Sequence, residues 1–347
     1  MKRTALASAL SATVSALALV AALGTSKGVL AQDCDRACLE GMVERYFDAV
    51  IDNDPAALPL APDTQFTEDG QRLVIGDGLW NTMKAKGKYR LFVTDVPAQQ
   101  VAVLATLFED HRDPALSTAS FIALRLRVQD GMITEVEQVL SRNEESARRI
   151  DEMTVRPGLL ATVPAEKRMS RSEMVSISDL YFTGMQQNDG KGDYPFADDC
   201  DRLENGNRST NAPTPAGETR PDPATASNYS GQWSCIEQFK SGLIHFVHRI
   251  RDRRFAAIDE ERGLTFAFAF FDHPGGATRT FQAPDGRTVT AGPVQPWTWG
   301  IAEIFKVEDK LIHEIEALLL RVPYGMNSGW STWEQGMSDQ VRDVTMD

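Results

Sequence analysis

The stretch Val128-Gln129-Asp130-Gly131-Met132-Ile133-Thr134-Glu135-Val136-Glu137 returns later in the chain as Val307-Glu308-Asp309-Lys310-Leu311-Ile312-His313-Glu314-Ile315-Glu316. Asp130-Gly131 between two apolar runs is a hairpin signal. Working outward, Tyr46-Phe47 followed by Asn53-Asp54 returns as Tyr181-Phe182 followed by Asn188-Asp189. Pro59, Ala61 and Asp63 return as Pro195, Ala197 and Asp199, and Glu68-Asp69-Gly70 returns as Glu204-Asn205-Gly206. The offset is about 135 residues early and about 179 late, so the second copy carries an insertion; repeats this long are duplicated domains, whereas solenoid units run about 20–50 residues.

Each copy has the same plan. Leu39, Met42, Val43, Tyr46, Phe47 and Val50 fall on one helical face. A short helical stretch is expected over 76–86, then strands over 89–93, 99–108, 117–129 and 132–141. In the second copy Ser170 and Glu173 form a capping box for a helix reaching Met185. A strand follows at 201–207, and a short helix runs from Cys235 to about Phe246. Hairpin arms are expected at 249–259 with 264–273 and at 297–307 with 311–321. Helices followed by antiparallel strands, twice over, give an α+β class. The boundaries read as 1–31, 32–142, a polar linker 143–169, 170–330 with an inserted loop 207–234, and a tail 331–347.

Residues 1–31 read as a secretory signal peptide: Lys2 and Arg3, an apolar run to Leu23, and small residues before Gln32. The expected location is secreted or periplasmic. The chain carries a net charge of −13. Loss of Lys2, Arg3 and Lys27 with the leader takes it to about −16, which argues against nucleic acid or an anionic membrane as partner. Four cysteines in an exported chain suggest two disulfides, with 34–38 and 200–235 the simplest pairing. The cysteines lack zinc-site spacing, and no metal is expected.

Four of the five histidines (His245, His248, His273, His313) and five of the six tryptophans lie in or after the second copy. Groups that titrate near neutrality, beside aromatic rings, suit ligand binding and proton transfer. His248 reads as a proton-transferring group or as a solvated helix end. Arg249, Arg251 and Arg253 alternate to one strand side, with Asp252 and Arg254 on the other. They form a solvated charged face, or they bind a phenolate, enolate or carboxylate. Leu264, Phe266, Phe268, Phe270 and Asp272 share a face, where poor solvation would raise the Asp272 pKa. His273 follows it, facing the other way. Trp297, Trp299, Ile301, Glu303 and Phe305 share a face, as do Leu311, His313 and Ile315. These read as core, or as a substrate wall formed by Trp297, Trp299 and His313.

The order helix, Asn-Asp, Pro-x-Ala, strand with Glu-Asp-Gly, short helix and long antiparallel strands resembles the nuclear transport factor two-like superfamily, which includes ketosteroid isomerase and polyketide cyclase-like proteins. The resemblance covers nearly all of both copies. It implies two tandem cone-shaped α+β barrels, each a bent sheet around helices with an apolar pocket. It also implies a helix Tyr as oxyanion donor, nearest to Tyr46 and Tyr181, an Asp base on the first strand, and a protonated acid on a later strand. The Asp position falls near Asp69 in copy one; in copy two it is Asn205, with Glu204 beside it and Asp201 nearby.

These readings converge on an exported, cofactor-independent lyase or isomerase acting on a hydrophobic cyclic or aromatic small molecule. Glu204, Asp201, Asp272 or a histidine (His248, His273) would move a proton. Tyr181, His248 or an arginine would stabilise the oxyanion. Isomerisation, dehydration and retro-aldol cleavage all remain open. The alternative is a non-catalytic small-molecule-binding or interaction protein with the same pocket; a homo-oligomer is compatible with either.

Overall fold

The apolar stripe of the first helix is buried along its whole length in α1 (Arg36–Ile51), whose first turn Asp35 caps by accepting from the Cys38 N–H. A computed structural model describes Met1 and residues 33–345; the signal peptide expectation lies outside the described residues. Copy one continues through β1 (Leu60–Glu68), β2 (Gln71–Arg72), β3 (Met83–Asp95), β4 (Gln100–Asp110), β5 (Ser117–Gln129) and β6 (Met132–Ser141). Short helices α2 (Glu144–Asp151) and α3 (Pro157–Leu160) lead to copy two. It comprises α4 (Arg171–Met185), β7 (Phe196–Glu204), β8 (Asn207–Arg208), α5 (Cys235–Lys240), β9 (Arg249–Asp259), β10 (Leu264–His273), β11 (Thr280–Gln282), β12 (Thr288–Thr290), β13 (Trp297–Glu308) and β14 (Leu311–Val322). A terminal strap adds α6 (Trp333–Gly336) and β15 (Arg342–Asp343).

The two sheets run β2-β1-β6-β5-β4-β3 and β8-β7-β14-β13-β10-β9-β15. Apart from the added β15 they are the same sheet twice. The irregularities repeat too: β3 shifts register against β4 between Lys86 and Arg90, and β9 shifts against β10 between Arg251 and Arg254. Such bulges bend a strand sharply, and each sheet curls around its helix. The chain is therefore two tandem α+β cones.

Three local expectations change. Only Gly78–Asn81 forms a helical turn, and the chain is extended again from Met83. Gly76 and Gly78, with φ of 102° and 65°, end the preceding conformation. The first strand of copy two begins earlier, at Phe196. Helix α5 ends at Lys240, with Gly242 in the left-handed region (φ 67°).

The outer faces of the two sheets pack together. Tyr89, Leu91, Leu104 and Phe121 of copy one meet Ala257, Phe266, Phe268 and Ile304 of copy two, with Ala147, Ile150 and Leu159 between them. Glu137 takes both guanidinium nitrogens of Arg254, at 3.0 and 2.6 Å. Glu316 accepts from the Tyr89 hydroxyl and from Arg156. These two glutamates end the two copies of the repeated stretch, so the same position bridges the interface twice.

Disulfides join Cys34 to Cys38 and Cys200 to Cys235. Both fit a protein of an oxidising compartment.

Candidate functional site

The inner face of the copy-two sheet can be read row by row from its register. One row is Ala267, Glu303, Ala317 and Glu204; the next is Thr265, Phe305, Ile315 and Arg202. Across from them α4 buries Tyr181 and Phe182. Two glutamates and an arginine thus face a tyrosine inside an apolar cone. Phe305 and Phe239 lie 5.2 and 5.4 Å from the Tyr181 ring.

Arg202 is the hub. One guanidinium nitrogen donates to the Tyr181 hydroxyl at 3.1 Å, another to the Gln238 carbonyl at 2.6 Å, and Nε to the Ser209 hydroxyl at 3.0 Å. Glu204 lies 3.2 Å from Nε, with its side chain 29% exposed. Burial alone would lower the Arg202 pKa, but Tyr181, Glu204 and Glu303 outweigh it and hold the guanidinium above its ordinary value. Burial drives the Glu303 carboxyl up to about 8, helped by the charge of Glu204; Arg202 and a hydrogen bond with Tyr181 only partly oppose this. At neutral pH Glu303 is therefore largely a protonated acid. Burial raises Tyr181 as well, well above the usual phenol value. Carboxylates in contrasting environments within one site are the arrangement that acid–base catalysis uses.

The same rows in copy one hold different chemistry. The positions of Arg202, Glu303, Ala317 and Ala267 are taken by Phe66, Leu124, Gln138 and Val103. Phe66, Leu124 and Val103 belong to a closed apolar core. Tyr46 donates to Gln138 at 3.0 Å, and Gln138 donates to Glu68 at 2.9 Å. Copy one surrounds Tyr46, Gln138 and Glu68 with apolar side chains; copy two packs Tyr181, Phe182, Phe239 and Phe305 in the same place and sets Arg202 and Glu303 among them.

Along β13 the row continues through Trp299 and Trp297, opposite Phe271 and His273. His273 stacks on Trp297 with ring centroids 4.4 Å apart, and Trp299 meets Trp297 edge-on at 4.5 Å. Phe246 lies 5.9 Å from His273, and Tyr229 lies 6.0 Å from Phe246. Burial holds the His273 pKa down to about 4. Its Nδ1 faces the Phe271 carbonyl at 3.0 Å, so the neutral ring donates there and leaves Nε2 as an acceptor.

The structure brings together Tyr181 and Glu204, and separately His273, Trp297 and Trp299. The remaining candidates lie elsewhere. Asp201 points to the outer face, pairing with Arg208 at 2.8 Å. His248 is exposed, 3.2 Å from the Gln187 amide. The row from Leu264 to Asp272 is the outer face: Leu264, Phe266 and Phe268 pack against copy one, and Phe268 and Phe270 line a small cavity between the copies with Asp69, Glu137 and Arg254, so the row is no wall of the copy-two cone. Asp272 sits there between Arg249 and Arg251, at 2.6 and 2.9 Å, and accepts from Thr298 at 2.7 Å. Burial alone would raise its pKa, as expected from sequence. Arg251, Thr298 and Arg249 reverse that and hold it below the ordinary carboxylate value.

Two bulges break the alternation assumed for the other candidates. Arg251 pairs opposite Phe270 and Arg254 opposite Phe268, so Asp252 and Arg253 form the extra step, with Asp252 at φ 50°. Arg249, Arg251 and Arg254 therefore share the outer face, while Arg253 turns to Asp179 on α4 at 3.2 Å. On β14 the register shifts between Ile312 and Glu314. Ile312 and Ile315 both enter the core, and His313 turns away to Asp199 at 2.8 Å.

Arg202 and Gln238 belong to no motif in the sequence, and Glu303 stands out there only by its strand face. Aligning the copies position by position would have exposed Arg202 and Glu303, since charge replaces Phe66 and Leu124. Gln238 has no such signal, because it lies on the helix after the insertion.

A family model described as "Domain of unknown function (DUF8021)" matches residues 32–140 and again residues 167–319. None of the curated proteins compared matches this chain. Among solved structures, AclR, a putative hydroxylase from Streptomyces galilaeus, is 15% identical, covering 36% of this chain and 93% of its own, with a TM-score of 0.27. A putative polyketide cyclase from Xanthomonas campestris pv. campestris is 18% identical over 31% of this chain and 93% of its own, with a TM-score of 0.26. Another from Silicibacter sp. is 17% identical over 34% of this chain and 96% of its own, also at 0.26.

Proposed function

We propose that this chain, which belongs to the DUF8021 family of domains of unknown function, is an exported, cofactor-independent lyase or isomerase that moves a proton on a hydrophobic cyclic or aromatic small molecule inside the copy-two cone. One observation carries the reading. Glu303 is a buried acid beside the Arg202–Glu204 pair, where copy one keeps Phe66 and Leu124. Burying ionisable groups costs stability unless they are paired and hydrogen-bonded, and a buried acid kept beside a second carboxylate is a candidate functional group.

In this reading Glu204 takes a proton from carbon beside a carbonyl. Glu303 donates a hydrogen bond, or its proton, to the developing oxyanion. Arg202 supplies positive charge, and Tyr181 positions both groups through its hydroxyl. Trp297, Trp299 and His273 would meet the ring of the substrate at the mouth. Isomerisation, dehydration and retro-aldol cleavage share these steps.

The test is a thermal-shift screen of hydrophobic phenols, ketones and lactones, with product analysis of each hit. Glu303→Gln and Glu204→Gln should each lower turnover by about 10²–10⁴-fold, while Glu68→Gln in copy one leaves it unchanged. Wild-type turnover in both copy-two variants would sink the assignment. The partly exposed aromatic cluster of Trp297, Trp299 and Phe246 around His273 favours a second reading, a binding protein that holds its ligand on those rings. Hits that bind and are recovered unchanged would select it.

A further inference from the structure

The rim of the contact between the copies gathers four arginines, in a chain whose net charge is −13. Arg125 and Arg127 stand on β5, in register with Glu137 and Glu135 of β6. Arg254 stands on β9, and the terminal strap lays Arg342 of β15 beside it in register. Like charges in neighbouring strand positions repel. The strap also brings Trp330, over whose ring the Arg125 guanidinium lies at 4.8 Å. The four arginines, Glu135, Trp330 and Val344 line a cavity of about 140 Å³. That is several times the roughly 30 Å³ share of one water, and it leaves room for a small anion.

The carboxylates around the cavity do not use up its donors. Glu137 accepts from both terminal nitrogens of Arg254, at 3.0 and 2.6 Å. Glu135 pairs with Arg125 at 2.7 Å and with Arg127 at 3.3 Å. Asp252 accepts from Arg342 at 2.7 Å and from the Ser328 and Ser331 hydroxyls at 2.7 and 2.6 Å. Asp343, next to Arg342, turns instead to the Thr345 N–H at 3.0 Å. The Nε groups of Arg125, Arg254 and Arg342 remain buried without a hydrogen bond. Those of Arg125 and Arg254 lie 3.4 Å from Glu137 and Asp252 without bonding them, and both arginines are only 2% exposed. A buried donor on a charged group is costly to leave without an acceptor.

We propose that this cavity binds a tetrahedral oxyanion, phosphate or sulfate, and that the bound anion latches the terminal strap across both copies. Guanidiniums suit such an anion because their planar forks present donors in pairs. Arg125 and Arg127 come from copy one, Arg254 from copy two and Arg342 from the strap, so an anion among them joins three parts of the chain. The cavity lies on the outer faces of the sheets, apart from the copy-two cone, and its test does not depend on the chemistry proposed there.

The test titrates inorganic phosphate, and then phenyl phosphate, into the full chain by calorimetry in chloride at fixed ionic strength. Inorganic phosphate should give saturable heat at one site. Arg342→Gln and Arg127→Gln should each weaken it by about tenfold or more, the value of one hydrogen bond to a charged group. Arg148→Gln, at an exposed arginine of α2, should leave it unchanged. Arg342 also holds Asp252, so its loss can loosen the strap directly; Arg127→Gln leaves the strap's bonds to Asp252 in place and keeps the test decisive. Deuterium uptake over residues 328–344 should slow at saturating phosphate. Phenyl phosphate binding as tightly would support a phosphoryl group on a larger molecule as the occupant, and weaker binding would support the free ion. Absence of saturable heat, wild-type affinity in both cavity variants, or unchanged uptake would each overturn the proposal.

Discussion

Glu303 and Asp272 show how one residue type takes opposite states from its surroundings. Both carboxyls are buried, and burial pushes each pKa upward. Asp272 has two guanidiniums and a hydroxyl within hydrogen-bond distance, and these win. Glu303 has one cation shared with Glu204, and burial wins. Its folded value lies above its unfolded one. Its contribution to stability is therefore complete below the ordinary carboxyl range and is lost as pH rises towards about 8. Urea unfolding at pH 5 and pH 8.5 should show wild type losing more stability across that window than Glu303→Gln, by a few kcal/mol. Equal losses in the two proteins would mean that Glu303 titrates as an ordinary surface acid.

At the scale of elements, long periodic features were legible and irregular ones were not. The helix stripe from Leu39 to Val50, the Ser170 capping box and the strand limits of β9 and β10 follow from spacing alone. What spacing cannot show is which sheet face looks inward. The row from Leu264 to Phe270 is as apolar as a pocket wall, yet it forms the interface between copies. Nor does strict alternation survive a bulge: the extra step at Asp252 and Arg253, and the shift beside His313, each send side chains to the opposite face. The site was half legible for this reason. Tyr181 and Glu204 came from the repeat, while Arg202 and Glu303 needed the register and Gln238 needed the packing of α5 against β7.

Over the whole molecule, the duplication serves two ends. The outer faces form a dimer-like contact inside one chain, closed by Glu137 with Arg254 and by Glu316 with Tyr89 and Arg156. Copy one contributes that face; copy two carries the insertion, its disulfide and the Arg202–Glu303–Glu204 group. A fragment of residues 33–160 alone would expose Tyr89, Leu91, Leu104 and Phe121, and should associate into dimers by light scattering. A folded monomeric fragment would show that the contact is dispensable. A protonated acid in the copy-two cone is the central requirement for this chemistry, and nuclear magnetic resonance of side-chain-labelled glutamate reads it without any substrate. One carboxyl should titrate near pH 8 and be missing from Glu303→Gln; a missing signal that titrates with the ordinary glutamates would contradict a protonated Glu303.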